Sequence, residues 1–150
     1  MKPLFVLLAV FALTLILQKI IWHAFNVPLA ARIALSAMLL FTAMAHFAFT
    51  KGMVMMVPNF IPYKTAVVYL TGIIEMTAAI GLLLPGLRIW TGWLLILFFI
   101  LILPANIQAA IQQIDYQKGT YTGSGLAYLW FRIPLQLLFI GWTYFSAIKF

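Results

Sequence analysis

Five long apolar runs are the feature of this sequence that most restricts its fold. They cover approximately residues 4–21, 30–49, 65–84, 89–107 and 126–148. A helix needs roughly 20 apolar residues to cross a bilayer core, and these runs lack the alternation expected of a membrane β-barrel. The first run passes through Gln18 and Lys19 without a small-residue cleavage site, so we expect a transmembrane helix there rather than a cleaved signal peptide. The sequence therefore predicts an all-α integral membrane bundle of about five spans.

The composition agrees with this class and leaves no room for a separate soluble domain. The 150 residues are 66% hydrophobic and 7% charged, whereas a soluble globular domain carries about 25% charged residues. Lys and Arg are scattered singly from Lys2 to Lys149, as interface anchors are. We expect one membrane domain over residues 1–150, in contact with lipid and with no nucleic-acid partner. The absence of cysteine excludes disulfides and cysteine-ligated metal within the chain.

The connections between the runs differ in length and character. Pro85 and Gly86 mark a tight turn. Residues 51–64 and 112–125 are longer, and with five spans they lie on the same side of the membrane. The first is rich in Met and aromatic residues, so we expect it to lie in the interface or to fold back as a lid, and the second to form an aqueous loop. Four basic residues fall on each side, with Arg132 inside the fifth run, so the positive-inside rule fixes no orientation.

Glu75 is the residue that costs most to place in the bilayer, because it lies near the middle of the third run. A carboxyl at that depth is expensive unless it is protonated, paired or facing water. Gly72 and Ala79 share its helical face, so we expect Glu75 to point into the bundle. Arg132 is the expected partner, with Gln136 one turn deeper on the same face. The alternatives are that Glu75 only links two helices and that Arg132 extends to the lipid head groups.

Further polar residues lie near helix ends on the side of the two long connections, and they predict one polar pocket in a single leaflet. His46 and Glu75 are the candidate catalytic residues of this pocket. The candidate ligand-binding residues are Tyr69, Asn106, Gln108, Arg132 and Gln136. Such a pocket suits an apolar molecule with a polar head, such as a quinone. A single His can also bind haem, but no second ligand is evident, and we expect no metal site.

Short motifs occur in a fixed order at residues 45–47, 68–75, 81–85, 103–107 and 129–136, with Pro58, Pro62 and Arg88 between them. In this order and spacing the chain resembles the DoxX family of small bacterial membrane proteins over about residues 30–148. The resemblance implies a four-helix core, to which the first run adds an N-terminal transmembrane helix, in the bacterial inner membrane. Some relatives are subunits of membrane oxidoreductases. Relatives that handle thiols often use cysteine, so its absence leaves quinone contact or partner scaffolding.

Three functions stay open at this point. The chain is a non-catalytic or accessory membrane protein, such as an assembly component of a membrane redox complex with a protein partner or a second copy. Alternatively, it is a quinone-linked oxidoreductase subunit in which Glu75 and His46 exchange protons. A small-molecule transporter is the third reading, although the sequence shows no inverted repeat.

Overall fold

The computed structural model describes residues 2–150, and helices account for most of that range. The helices are α1 Lys2–Trp22, α2 Val27–Ala48, α3 Thr50–Met56, α4 Lys64–Gly81, α5 Arg88–Leu101, α6 Leu103–Ile111 and α7 Leu129–Thr143. A 3₁₀ turn, Leu126–Tyr128, precedes α7, and a π-helical segment, Tyr144–Lys149, follows it. Within residues 2–150 there is no β-strand beyond an isolated bridge between Asp115 and Thr120. The predicted all-α class is confirmed.

Four helical stretches are long and apolar enough to cross a membrane: Lys2–Trp22, Val27–Ala48, Arg88–Ile111 and Leu126–Lys149. The chain is therefore a membrane protein. The third predicted run forms α4, which has 18 residues and carries Lys64 and Glu75. This helix does not belong to the four that qualify by length and composition, and its place in the bundle comes from packing against its neighbours.

The helices α2, α4, α5 and α7 form a closed ring. In it α2 packs on α4, α4 on α5, α5 on α7, and α7 on α2, while α1 lies outside the ring against α2. Helices α2 and α4 pack closely where Gly72 of α4 faces α2. A Cβ atom added at Gly72 would lie 3.0 Å from the Cβ of His46, and such close contact lets helices associate in lipid. This arrangement is the predicted four-helix core with an additional N-terminal helix.

The predicted fourth run, residues 89–107, is two helices rather than one. Helix α5 ends at Leu101, Ile102 separates it from α6, and Pro104 lies in the first turn of α6. Proline has no N–H group and its ring clashes with the preceding turn, so an unbroken helix cannot pass through this position without strain. The second helix then continues to Ile111, beyond the predicted end of the run.

Both long connections cover the same end of the bundle, as predicted. Helix α3 packs against α4 and α6, so residues 51–64 fold back over this end. Gly52 of α3 touches the backbone carbonyl of Tyr116, and the ring of Phe49 meets that of Tyr116 at 6.1 Å. Residues 112–125 are therefore not the purely aqueous loop that the sequence predicts. They pack on α3 because Ile114 and Tyr116 supply apolar surface in a segment of otherwise polar composition.

Candidate functional site

One buried polar contact in the bundle joins His46 of α2 to Glu75 of α4. The imidazole Nδ1 lies 3.4 Å from Glu75 Oε2, and Glu75 is 5% exposed. The same Nδ1 lies 2.9 Å from the carbonyl oxygen of Thr42. Because a carbonyl can only accept, Nδ1 carries a proton and donates it to Thr42, which in the neutral ring leaves Nε2 as an acceptor. Glu75 Oε2 is buried and has no hydrogen-bond partner among residues 2–150.

Local packing explains why these two side chains meet. Gly72 lies one turn before Glu75 and directly faces His46, so α4 can approach α2 closely at this level. On the outer side, the ring of Tyr69 stacks on Phe47 with 5.6 Å between centroids. Tyr69 is 42% exposed. It therefore lies beside the pair, on the lipid-facing surface, rather than lining an enclosed pocket.

A second polar contact joins α6 to α7. Arg132 Nη2 donates to Asn106 Oδ1 at 2.8 Å, and the Tyr128 ring centroid lies 6.0 Å from Arg132 Cζ. Asn106 is 6% exposed, and its Nδ2 donor is buried without a hydrogen-bond partner in the part of the chain that the structure describes. Asn106 and Arg132 line a half-open cleft of about 380 Å³ at the covered end of the bundle, and Lys2 lies on the same cleft.

The single pocket that the sequence predicts is thus divided between two places. The expected Glu75–Arg132 pair does not form: Glu75 faces His46 instead, and Arg132 faces Asn106. In the described range α4 packs against neither α6 nor α7. Because α4 and α7 are each flanked by α2 and α5 in the ring, they occupy opposite corners. The sequence gives the depth of a residue in the bilayer, but not which helices are neighbours.

Gln108 and Gln136, the two glutamines predicted to bind a ligand, make contacts between segments of the chain. Gln108 Nε2 donates to the carbonyl of Val57 at 3.1 Å, which ties α6 to the end of α3. Gln136 is buried, and its Nε2 donates to the carbonyl of Phe99 at 2.6 Å. No backbone bond to Phe99 O crosses the junction of α5 and α6 within residues 2–150. Gln136 therefore caps a carbonyl that the break in this span leaves free.

Sequence reasoning missed three contacts of the same kind at the opposite end of the bundle. Ser36 Oγ donates to Ala79 O at 2.8 Å, Arg32 Nη1 to Ser146 O at 3.0 Å, and Trp142 Nε1 to Ala31 O at 3.0 Å. The i,i+4 spacing of Arg32 and Ser36 places both on one face of α2. This spacing is the sequence feature that could have predicted polar contacts at this end of the bundle. Their carbonyl partners carry no sequence signal, because every residue has a carbonyl.

The structure also bears on metal and haem binding. Within residues 2–150 no group of three or more His, Cys, Asp or Glu side chains is placed to hold a metal ion. His23 precedes α2, whereas His46 lies in its last turn. The length of a 22-residue helix therefore separates them, so they cannot ligate one haem within a single chain.

Comparison with known proteins gives one finding. A family model described as a domain of unknown function, DUF8561, matches residues 35–147. The match begins within α2 and spans the ring of four helices, leaving α1 outside. No curated protein matches the chain, and no solved structure matches it.

Proposed function

This chain belongs to the DUF8561 family, and we propose that it acts as a non-catalytic accessory protein of DoxX-like type in the bacterial inner membrane. In this proposal it is an assembly component of a membrane redox complex. One observation carries the proposal: five polar side chains within the bundle donate hydrogen bonds to backbone carbonyls of another segment. The donors are Arg32, Ser36, Gln108, Gln136 and Trp142.

These five contacts hold separate segments of the chain together. In lipid there is no water to satisfy a backbone or side-chain polar group, so bonds between helices define how the helices are arranged. Double-mutant measurements place such bonds at about 0.6 kcal/mol on average and at most about 1.7 kcal/mol. Four of them define how the ring helices are arranged, and the fifth, from Gln108, ties α6 to the end of α3. A rigid, mostly apolar bundle of this kind suits a subunit that supports a larger assembly.

The proposal is tested by asking whether the protein is needed for an assembly or for turnover. The chain is purified from native membranes in a mild detergent, and the complex mass is measured by native mass spectrometry. We expect a defined complex that is heavier than the chain itself. In a deletion strain, complementation with Glu75→Gln or His46→Gln should restore both this complex and the redox turnover of membrane vesicles. Loss of turnover in a fully assembled complex would contradict an accessory role.

A second candidate, a quinone-linked oxidoreductase subunit, is favoured by the His46–Glu75 pair. Glu75 Oε2 is buried without a partner, and His46 Nδ1 lies 3.4 Å from it. In this candidate role Glu75 takes up a proton, while the Nδ1 proton of His46 remains donated to Thr42 O, and a bound quinone would supply the electron chemistry. Donors for a quinone carbonyl occur at Arg132 and Asn106, but these lie on helices that do not pack against α4.

The second candidate makes a different prediction. Solvent extraction of the purified protein, followed by mass spectrometry, should recover quinone in stoichiometric amounts, and Glu75→Gln should reduce it. Glu75→Gln keeps the shape of the side chain and removes its charge and its exchangeable proton. A matched control is Gln112→Glu, which introduces a carboxyl at an exposed position at the end of α6. Quinone-free protein with intact fold would exclude this candidate.

A further inference from the structure

We propose that the cleft beside Arg132 and Asn106 binds a phosphate-type oxyanion, supplied by the head group of a membrane lipid. The cleft lies between α6, the start of α7 and residues 114–125. The inference is independent of the proposed accessory role, because it concerns a binding site on the surface of the bundle.

The donors that face the cleft exceed the acceptors that the protein offers them. A guanidinium has five N–H donors, and within residues 2–150 the Arg132 side chain makes one hydrogen bond, to Asn106 Oδ1. The Asn106 amide is held by that bond, since its Oδ1 must face the guanidinium, and its Nδ2 is left as an unsatisfied buried donor. A buried donor without a partner costs about 1–3 kcal/mol. Asn106 lines the cleft, so a small shift of the surrounding side chains would let an oxygen of a bound anion accept from Nδ2.

The charges around the cleft favour an anion. Lys2 and Arg132 line it, and the acidic residue on its wall is Asp115. Asp115 Oδ1 accepts hydrogen bonds from the backbone N–H groups of Gln117 and Lys118, at 3.1 and 3.2 Å, and Oδ2 lies 4.0 Å from Lys118 Nζ. The carboxylate is therefore engaged within its own turn. The two remaining cations leave the cleft with a positive charge, and Arg in particular matches the oxygens of phosphate with parallel N–H groups.

The position of the cleft identifies the source of the oxyanion. Three aromatic side chains at this end of the bundle are almost fully exposed: Phe60 at 81%, Tyr63 at 85% and Trp130 at 87%. Aromatic residues with this exposure concentrate at the head-group level of a bilayer. Trp130 precedes Arg132 by two residues, so the guanidinium lies close to the same level. The phosphodiester of a lipid is the oxyanion that occupies this level.

Lipid binding can be measured directly on the purified full-length protein. Phosphatidylglycerol is titrated into the protein in a non-ionic detergent, and bound lipid is counted by native mass spectrometry. In a separate arm inorganic phosphate is the probe. We expect the wild-type chain to bind phosphatidylglycerol and Arg132→Gln to weaken binding at least about tenfold, because a charged partner is lost. Arg88→Gln, at the opposite end of the bundle, is the matched control and should bind as wild type does.

A second variant separates binding from folding. Asn106→Asp keeps the volume of the side chain and an acceptor for Arg132, but it removes the Nδ2 donor and places a negative charge at the floor of the cleft. We expect it to keep the thermal stability of the wild type and to lose the lipid. Three results would each overturn the proposal: no lipid binding by the wild type, an equal loss in Arg88→Gln, or full binding by Asn106→Asp. Binding of inorganic phosphate without binding of the lipid would overturn the assignment to a lipid head group.

Discussion

Replacing Gln136 by Met tests whether side-chain donors hold this bundle together. Gln136 Nε2 donates to Phe99 O at 2.6 Å in a buried position, at the point where the span breaks between α5 and α6. Methionine is unbranched and close to glutamine in volume, so the variant removes the donor with little change in packing. The carbonyl of Phe99 is then left without a donor in an environment that contains no water.

The expected loss follows from two measured ranges. An orphaned buried acceptor costs about 1–3 kcal/mol in soluble proteins, while hydrogen bonds between membrane helices reach about 1.7 kcal/mol. A loss of about 1–2 kcal/mol is therefore expected. For a chain of 150 residues, each kcal/mol lowers the unfolding midpoint by about 2–4 °C. Gln136→Met should then unfold about 2–8 °C below the wild type.

The assay is thermal unfolding in detergent, followed by the intrinsic fluorescence of the five tryptophans. All variants are heated at one scan rate, because membrane proteins often unfold irreversibly and the midpoint then depends on rate. Gln112→Met is the matched control, since Gln112 is exposed at the end of α6. If both variants unfold at the same temperature as the wild type, the Gln136–Phe99 bond does not stabilise the break and the reasoning is refuted.

Two further substitutions follow from the same packing. Gly52→Ala would drive its Cβ into the backbone carbonyl of Tyr116, so residues 112–125 should separate from α3 and be cleaved faster in limited proteolysis. Gly86→Ala is the control and should behave as the wild type, because a Cβ added there has nothing within 4 Å. Equal cleavage rates in the two variants would contradict the contact between Gly52 and Tyr116. Ser36→Ala removes a donor 2.8 Å from Ala79 O and should lower the unfolding midpoint by a few degrees; an unchanged midpoint would argue against this bond.

Glu75 shows how far the sequence can go in predicting the fold and the site. The apolar runs locate the helices to within a few residues, and the small residues beside Glu75 correctly predict that it faces the interior. The prediction that Arg132 is the partner of Glu75 was wrong, because Glu75 faces His46. Hydropathy gives the depth of a residue but not the order of helices around the ring. That order depends on close approach at positions such as Gly72, and several helix pairs contain small residues that would permit it.

The break at Ile102 is a different kind of miss, because the signal was present. Pro104 lies within an otherwise continuous apolar run, and proline there removes a backbone donor. The sequence does not show how the freed carbonyls are satisfied, because Gln136 is 37 residues away from Phe99 along the chain. The roles of Gln108 and Gln136 depend on such distant pairings, so a candidate ligand residue and a structural cap look alike before the fold is known.

The position of α1 outside the ring has a consequence for how such a chain can change over evolution. It packs along α2, with Leu7 and Gln18 as its buried residues and the Phe11 ring against Trp142 of α7, and the shared family region begins after it, at residue 35. If this helix were lost, the surface of α2 beneath it would meet lipid tails, which are about as apolar as the leucines they replace. A peripheral helix in a membrane can thus be gained or lost without further substitutions on the surface it covers. In a soluble protein, the apolar residues uncovered by such a loss would have to be replaced by polar ones.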